Sequence, residues 1–441
     1  MKLGLSVVLV ALAALGEAQG PQKCTSLRVR RNAASLSAQD WQSISTMLQR
    51  MDQDGWLSRF GASHDRLFSR VHGNTCFFPF HRRYVLEFEN IARNYDPNFV
   101  VPYWDATQSF REPASDPMLT SGILGTNGQQ GDNCVTNGIQ ANMQFTYPNA
   151  HCLRRIYNQG TTIGAWYAPE IISSYLQADT TLAKFREDIE YSIHGAVHLG
   201  MGGEMNSGYA AQDFSFMIHH ANLDRLWWDW QNTHGSFLTY DGPGPGNSPA
   251  SLSDIIPEDG SVPMGGSSVE SVMVLGYGNV CYTYDTSRSP PETYPAGANN
   301  AAPSPNAQSA QQQARPEGTS LAAAAADPIL SGSSNPQSRA LESSRLQNSL
   351  GADIMNRFFP GLGSSLFSRK RRSYKEEKPA APEAPVAAAD CDSPQPIPFP
   401  PRLNPDWIHM HGFDPERVEM FHKNACDLVE LLNNSTYISP Y

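Results

Sequence analysis

Apolar positions along this chain follow a helical period in several long stretches. The segment "SAQDWQSISTMLQRM" opens a helix that the pattern carries on to an end near His64. A second helix is expected around Pro79, a residue suited to a first turn, and the amphipathic run behind it places His81 close to the helix start. In "DFSFMIHHANLDRLWWDWQ", residues 213–231, Asp213 is a natural N-cap, and Phe216, Leu223, Leu226 and Trp230 form the apolar stripe of a buried helix. "HGAVHLGMGG", residues 194–203, sets His194 and His198 four apart on one helix face. The stretch "DPERVEMFHKNACDLVELLNN" is also helical in pattern. It belongs to a tail of roughly 50 residues, which needs a staple or a neighbour to be stable. The fold class expected is mainly α: a helical bundle with long loops and a small C-terminal extension.

Elsewhere the period lapses, and the lapses divide the chain. Residues 1–20, "MKLGLSVVLVALAALGEAQG", carry one Lys, an apolar run and small residues at Ala14, Gly16 and Ala18, the pattern of a secretory signal peptide. No later stretch reaches the ~20 apolar residues of a membrane span, so a secreted protein with no membrane segment is expected. Residues 21–286 have the recurring apolar and aromatic positions of a globular domain. Residues 287–390 are rich in Pro, Ala, Ser and Gln, and bury too little apolar surface to offset their ordering entropy. One island in this linker, "LQNSLGADIMNRFFPGLGSSLF", is apolar enough for a short docking helix. Residues 391–441 form the tail. Before it, "SRKRRSY" (368–374) holds the basic run 369–372, a site for a processing protease cutting at Arg372. N-glycosylation sequons occur only at Asn433 and Asn434.

Composition narrows the partners. A net charge of −11 with 17% charged residues implies no broad basic surface, so nucleic acid is not an expected partner. Secretion favours disulfides. The seven cysteines are expected to pair as Cys24–Cys281, Cys134–Cys152 and Cys391–Cys426, leaving Cys76 over. The first pair would tie the two ends of the globular domain together.

Candidate chemistry lies in the histidines. His194 and His198 lack the Glu that a zinc protease motif requires, because position 195 is Gly. His219 and His220 are adjacent and face different ways, so one of them at most joins a given ion; Asp224 shares a face with His220 and could orient an imidazole. His64, His72 and His81 are spaced by eight and nine. Three histidines upstream and three downstream make two all-imidazole sites, a donor set that suits copper, zinc, iron or nickel better than calcium or magnesium. Zinc catalysis usually needs one such site; a facing pair suits copper and a small molecule between the ions.

These residues also carry a family resemblance. "HGNTCFFPFHRRYVLEFE" resembles the first copper motif of type 3 copper proteins, and "HGAVH" with "DFSFMIHHANLDRLWWDWQ" resembles the second. "PYWD" (102–105) and "YTY" (282–284) resemble further tyrosinase hallmarks, and the step from His64 to His72 and the tail's "DWIHMHGFDPERVEMF" look fungal. The resemblance implies a four-helix bundle holding two copper ions, one on His64, His72 and His81, the other on His194, His198 and His220. It implies use of O2 to oxidise o-diphenols to o-quinones, with a tyrosinase of full monophenolase activity or a haemocyanin-like O2 binder as alternatives. By resemblance Glu190 helps hold a water that takes the phenol proton. The position directly after the first histidine of the second site, often Asn, is Gly195 here, as in many catechol oxidases, so strong diphenolase and weak monophenolase activity is expected. His219 and Asp224 are expected to support the ligands. The second helix of the second motif begins with Phe214 where Pro is usual, so a slightly softer helix start is expected. Cys76 is either a buried thiol or a thioether to a histidine. Tails in this family often cover the copper site until cleaved, with Phe399, Phe358 or Phe359 as candidate plugs here.

Overall fold

The computed structural model describes residues 21–295, 346, 349–360 and 395–441. The expected signal peptide, Arg372, Cys391 and most of the linker lie outside the described residues. As expected, the fold is mainly helical.

Helix α1 (Ala38–Gln53) starts at a capping box in which Ser37 and Asp40 satisfy each other's amides. It stops short of the expected end. Gly55 takes φ 76°, a conformation open to glycine, and a new helix, α2 (Trp56–Val71), begins there. His64 therefore sits in the middle of α2 and His72 caps its C-terminus. Helix α3 (Phe77–Ala92) starts two residues before Pro79. Helices α4 (Pro169–Ala178) and α5 (Leu182–Ile189) follow a long loop region. From α5 the chain passes through a π-turn, Glu190–His194, into α6 (Gly195–Met201). The kink falls at Ser192, whose hydroxyl donates to the Asp188 carbonyl. Helix α7 (Phe214–His234) is buried for most of its length.

The start of α7 corrects one expectation. Asp213 caps the Ser215 amide as foreseen, and the Phe214 amide, which Pro would lack, donates to Gln140 Oε1 at 2.7 Å. The helix start gains a partner and is not softened.

Short strands close the domain. β1 (Arg28–Arg30) pairs in parallel with β4 (Tyr282–Tyr284), while β2 (Gln144–Phe145) pairs antiparallel with β3 (His151–Cys152). The expected Cys24–Cys281 and Cys134–Cys152 disulfides form beside these strands. Cys426 is a free thiol, and its expected partner Cys391 lies outside the described residues. Cys76 is a buried free thiol facing Tyr240, and burial pushes it up to about 12; no thioether joins it to a histidine.

Beyond the domain, α8 (Ala352–Phe358) docks against α4, as the linker island suggested. The tail continues through α9 (Pro405–Met410) and α10 (Pro415–Asn433). Its neighbour is the globular domain itself: α10 packs against α4 and the π-turn. No helix among the described residues is long and apolar enough to cross a membrane.

Candidate metal centre

All six expected histidines meet at one buried place. His64, His72 and His81 bring their ligating atoms within 4.8 Å of one another, and so do His194, His198 and His220. The two triads touch, with His81 and His220 stacked at 4.1 Å between ring centroids.

Backbone carbonyls set the ring orientations. His64 Nδ1 lies 2.6 Å from the Gly208 carbonyl, His72 Nδ1 3.0 Å from Phe68, His81 Nδ1 2.8 Å from Phe77 and His198 Nδ1 2.5 Å from Met205. A proton on Nδ1 donates to each carbonyl and leaves Nε2 as a lone pair facing the shared space. His194 is held more loosely, 3.4 Å from the Glu190 carbonyl across the π-turn, and His220 Nδ1 has no partner. Burial holds the six imidazoles neutral: it pushes His64 down to about 4 and His198 to about 3, and drives the other four well below the ordinary range. Six neutral nitrogen donors without a carboxylate among them, and a buried His194 Nε2 with no protein partner, fit a pair of copper ions.

Asp224 does not orient an imidazole. Its carboxylate accepts from Arg82 Nε, from Arg30 Nη1 at 3.3 Å, and from the hydroxyls of Tyr282 and Tyr284 at 2.5 Å each. The role expected for it as a histidine partner is thus taken by main-chain carbonyls, and Asp224 instead joins α7 to α3, β1 and β4. His219 packs beside the second triad, 6.1 and 5.4 Å between ring centroids from His194 and His198, and belongs to neither triad.

Glu190 is fully buried and spans the two halves of the site. One carboxylate oxygen accepts the Gly73 amide at 3.0 Å, next to His72; the other accepts from Arg186 at 2.8 Å. Burial pushes it up to about 7 against the pull of Arg186 and the Gly73 amide. Gly195 faces the tail: a Cβ there would stand 2.5 Å from Leu403 Cδ2 and 3.1 Å from Trp407 Nε1.

The tail covers the triads with residues not among the expected plugs. Phe399 is 58% exposed, and Phe358 and Phe359 sit at the end of α8. Trp407 and His411 do the covering. The Trp407 ring lies 5.9 Å from His194 and 5.3 Å from His198, and leans on His411 at 3.9 Å with the rings tilted by 36°. His411 lies 4.9 Å from His72 and 5.9 Å from His194, between the triads. Their four-residue spacing in "DWIHMHGF" puts them on one helix face, a signal present in the sequence, but nothing local says that this face meets the copper motifs.

Residues 37–233 match the family model described as the common central domain of tyrosinase. The chain is 30% identical over 300 residues to tyrosinase ustQ of Aspergillus flavus, a match covering 59% of this chain and 80% of that protein. It is 29% identical over 237 residues to a tyrosinase of Streptomyces antibioticus, covering 48% of this chain and 85% of the other. A polyphenol oxidase structure from Thermothelomyces thermophila is similar in fold, with a TM-score of 0.50 at 20% identity over 60% of this chain and 90% of that one. The two imidazole triads stand inside the matched region, apart from no member, and the chain belongs to the tyrosinase family, as a copper oxidoreductase.

Proposed function

We propose that this protein is a secreted dicopper oxidase that converts o-diphenols to o-quinones and is made in a latent form. The observation that carries the reading is the pair of buried neutral imidazole triads lying directly beneath the tail. His64, His72 and His81 would hold one copper, and His194, His198 and His220 the other. Bound there, the copper pair supplies the redox capacity that lets O2 accept electrons from a phenol. Two diphenols each release two electrons and two protons, and one O2 leaves as two waters.

The chain's own residues handle position and protons. The carbonyl-bound imidazoles fix where the substrate oxygens can approach. Glu190, pushed up to about 7 by burial, would help hold the water that takes a phenolic proton, because a base near working pH transfers protons most effectively. Gly195 offers no side chain to help it, which supports weak monophenol hydroxylation. Access for the phenol requires the tail to move, and the basic run ending at Arg372 is where a processing protease would release it.

The test is a comparison of initial rates on copper-loaded, tail-free enzyme. Catechol oxidation at least tenfold faster than tyrosine oxidation supports the reading. Comparable rates would make the protein a full tyrosinase, and copper binding without turnover of either phenol would make it a carrier.

A further inference from the structure

We infer that His411 is a seventh imidazole ligand of the metal pair, carried by the tail, so that the metal itself fastens the segment covering it. The inference rests on the dicopper reading above and adds a ligand to it.

Four observations converge on this residue. His411 is buried, and its Nε2 has no hydrogen-bond partner. Its Nδ1 lies 2.9 Å from the carbonyl of Trp407, four residues back. His72 and His81 are held by the same device, through Phe68 and Phe77, so His411 presents its Nε2 lone pair as they do. A ring nitrogen of His411 falls within 4.8 Å of the ligating atoms of both His72 and His194, one from each triad, and Nε2 is the one left without a partner. His409, two residues earlier on the same helix, is exposed to solvent.

A buried polar atom with no protein partner carries a desolvation cost. A phenylalanine in this place would fill the same space without it. An imidazole aimed at the gap between two metal positions recovers that cost by coordination, since neutral imidazole nitrogen is the donor both positions already use. The place it takes is the open one a substrate oxygen would need. Binding of metal and docking of the tail then strengthen each other by the same factor.

The test uses copper-loaded full-length protein. Anomalous scattering at the copper edge is expected to place copper at bonding distance, ~2.0 Å, from His411 Nε2. In solution, H411Q keeps much of the side-chain volume, and is expected to lose copper to a chelator at least tenfold faster than the parent. H409Q on the same helix is expected to match the parent, and the metal-free forms of all three should melt together. Two coppers per chain with His411 out of bonding distance, or equal copper loss from H411Q and the parent, would overturn the inference and leave the dicopper reading standing. Failure of the chain to take up copper at the triads would remove both.

Discussion

The catalytic domain and the tail both bury aromatic and charged groups, yet they are fastened differently. In the domain, Asp224 receives two arginines and two tyrosines in a site closed to water, and Glu89 joins the same network through Arg28 and Arg30. A disulfide seals the neighbouring ends, Cys24 to Cys281. The tail has no such clamp among the described residues. It rests on aromatic contacts, Phe413 on Tyr191 at 4.6 Å and Phe421 on Tyr175 at 5.3 Å, on the Arg417–Glu187 pair at the rim, and on a hydrogen bond from Tyr437 to the buried Glu170. Buried, multiply bonded charge networks resist partial opening; apolar contacts bordered by a solvated ion pair can part as a unit.

The largest predicted effect breaks the domain side of this contrast. Asp224→Ala leaves two buried arginines without their counter-charge, and removal of one partner from such a site costs about 3–5 kcal/mol. The midpoint of denaturant unfolding should fall accordingly, or soluble protein should be lost. Asp224→Asn should lie between it and the parent.

Trp407→Ala probes the tail side. Truncating a buried tryptophan removes contacts worth about 3–5 kcal/mol, here contacts that hold the cover in place. Uncut Trp407→Ala is expected to oxidise catechol at least tenfold faster than the uncut parent, with the main unfolding transition of the domain little changed. Gly195→Asn sharpens the same point from beneath, since its side chain would collide with Leu403 and Trp407. It should activate the uncut chain and have a far smaller effect on catechol oxidation once the tail is gone.

Two smaller effects complete the order. Arg417→Ala removes a rim pair with Glu187 that is half exposed on the arginine side, so the change in tail retention should be within about 1 kcal/mol and shrink with added salt. Asp52 shows that the domain is not optimised everywhere. Burial raises its carboxyl to about 6, and it sits in the last turn of α1, where the helix dipole disfavours an anion. Between the unfolded value near 3.9 and about 6 the folded state binds the extra proton, so stability falls as pH rises through this window. Asp52→Asn removes that loss. Its melting temperature should exceed the parent's at pH 7 and match it near pH 4, by a margin kept small because the side chain is only half buried.

The six triad histidines were legible because the stretches that carry them resemble the copper motifs of type 3 copper proteins; helical spacing by itself paired only His194 with His198. The Cys24–Cys281 and Cys134–Cys152 bridges were legible for a different reason, the pairing of neighbours and of domain ends. The partners of Asp224 were not, since Arg30 and the two tyrosines arrive from strands far away in sequence, and only the β1–β4 pairing brings them to α7. The break at Gly55 was hidden because the apolar period continues across it while the backbone does not. The plug was misplaced for a similar reason: an apolar phenylalanine is the natural guess for a cover, whereas docking of α9 selects Trp407 and His411 through a surface that local pattern does not encode.

The most direct test of the central claim is catechol oxidation by copper-loaded full-length protein, measured before and after the linker is cut at 369–372 and the tail separated. A rise of at least tenfold, with two coppers per chain retained, is the result this account predicts. Equal rates before and after the cut would contradict it, for the tail over the triads would then be no barrier to the phenol.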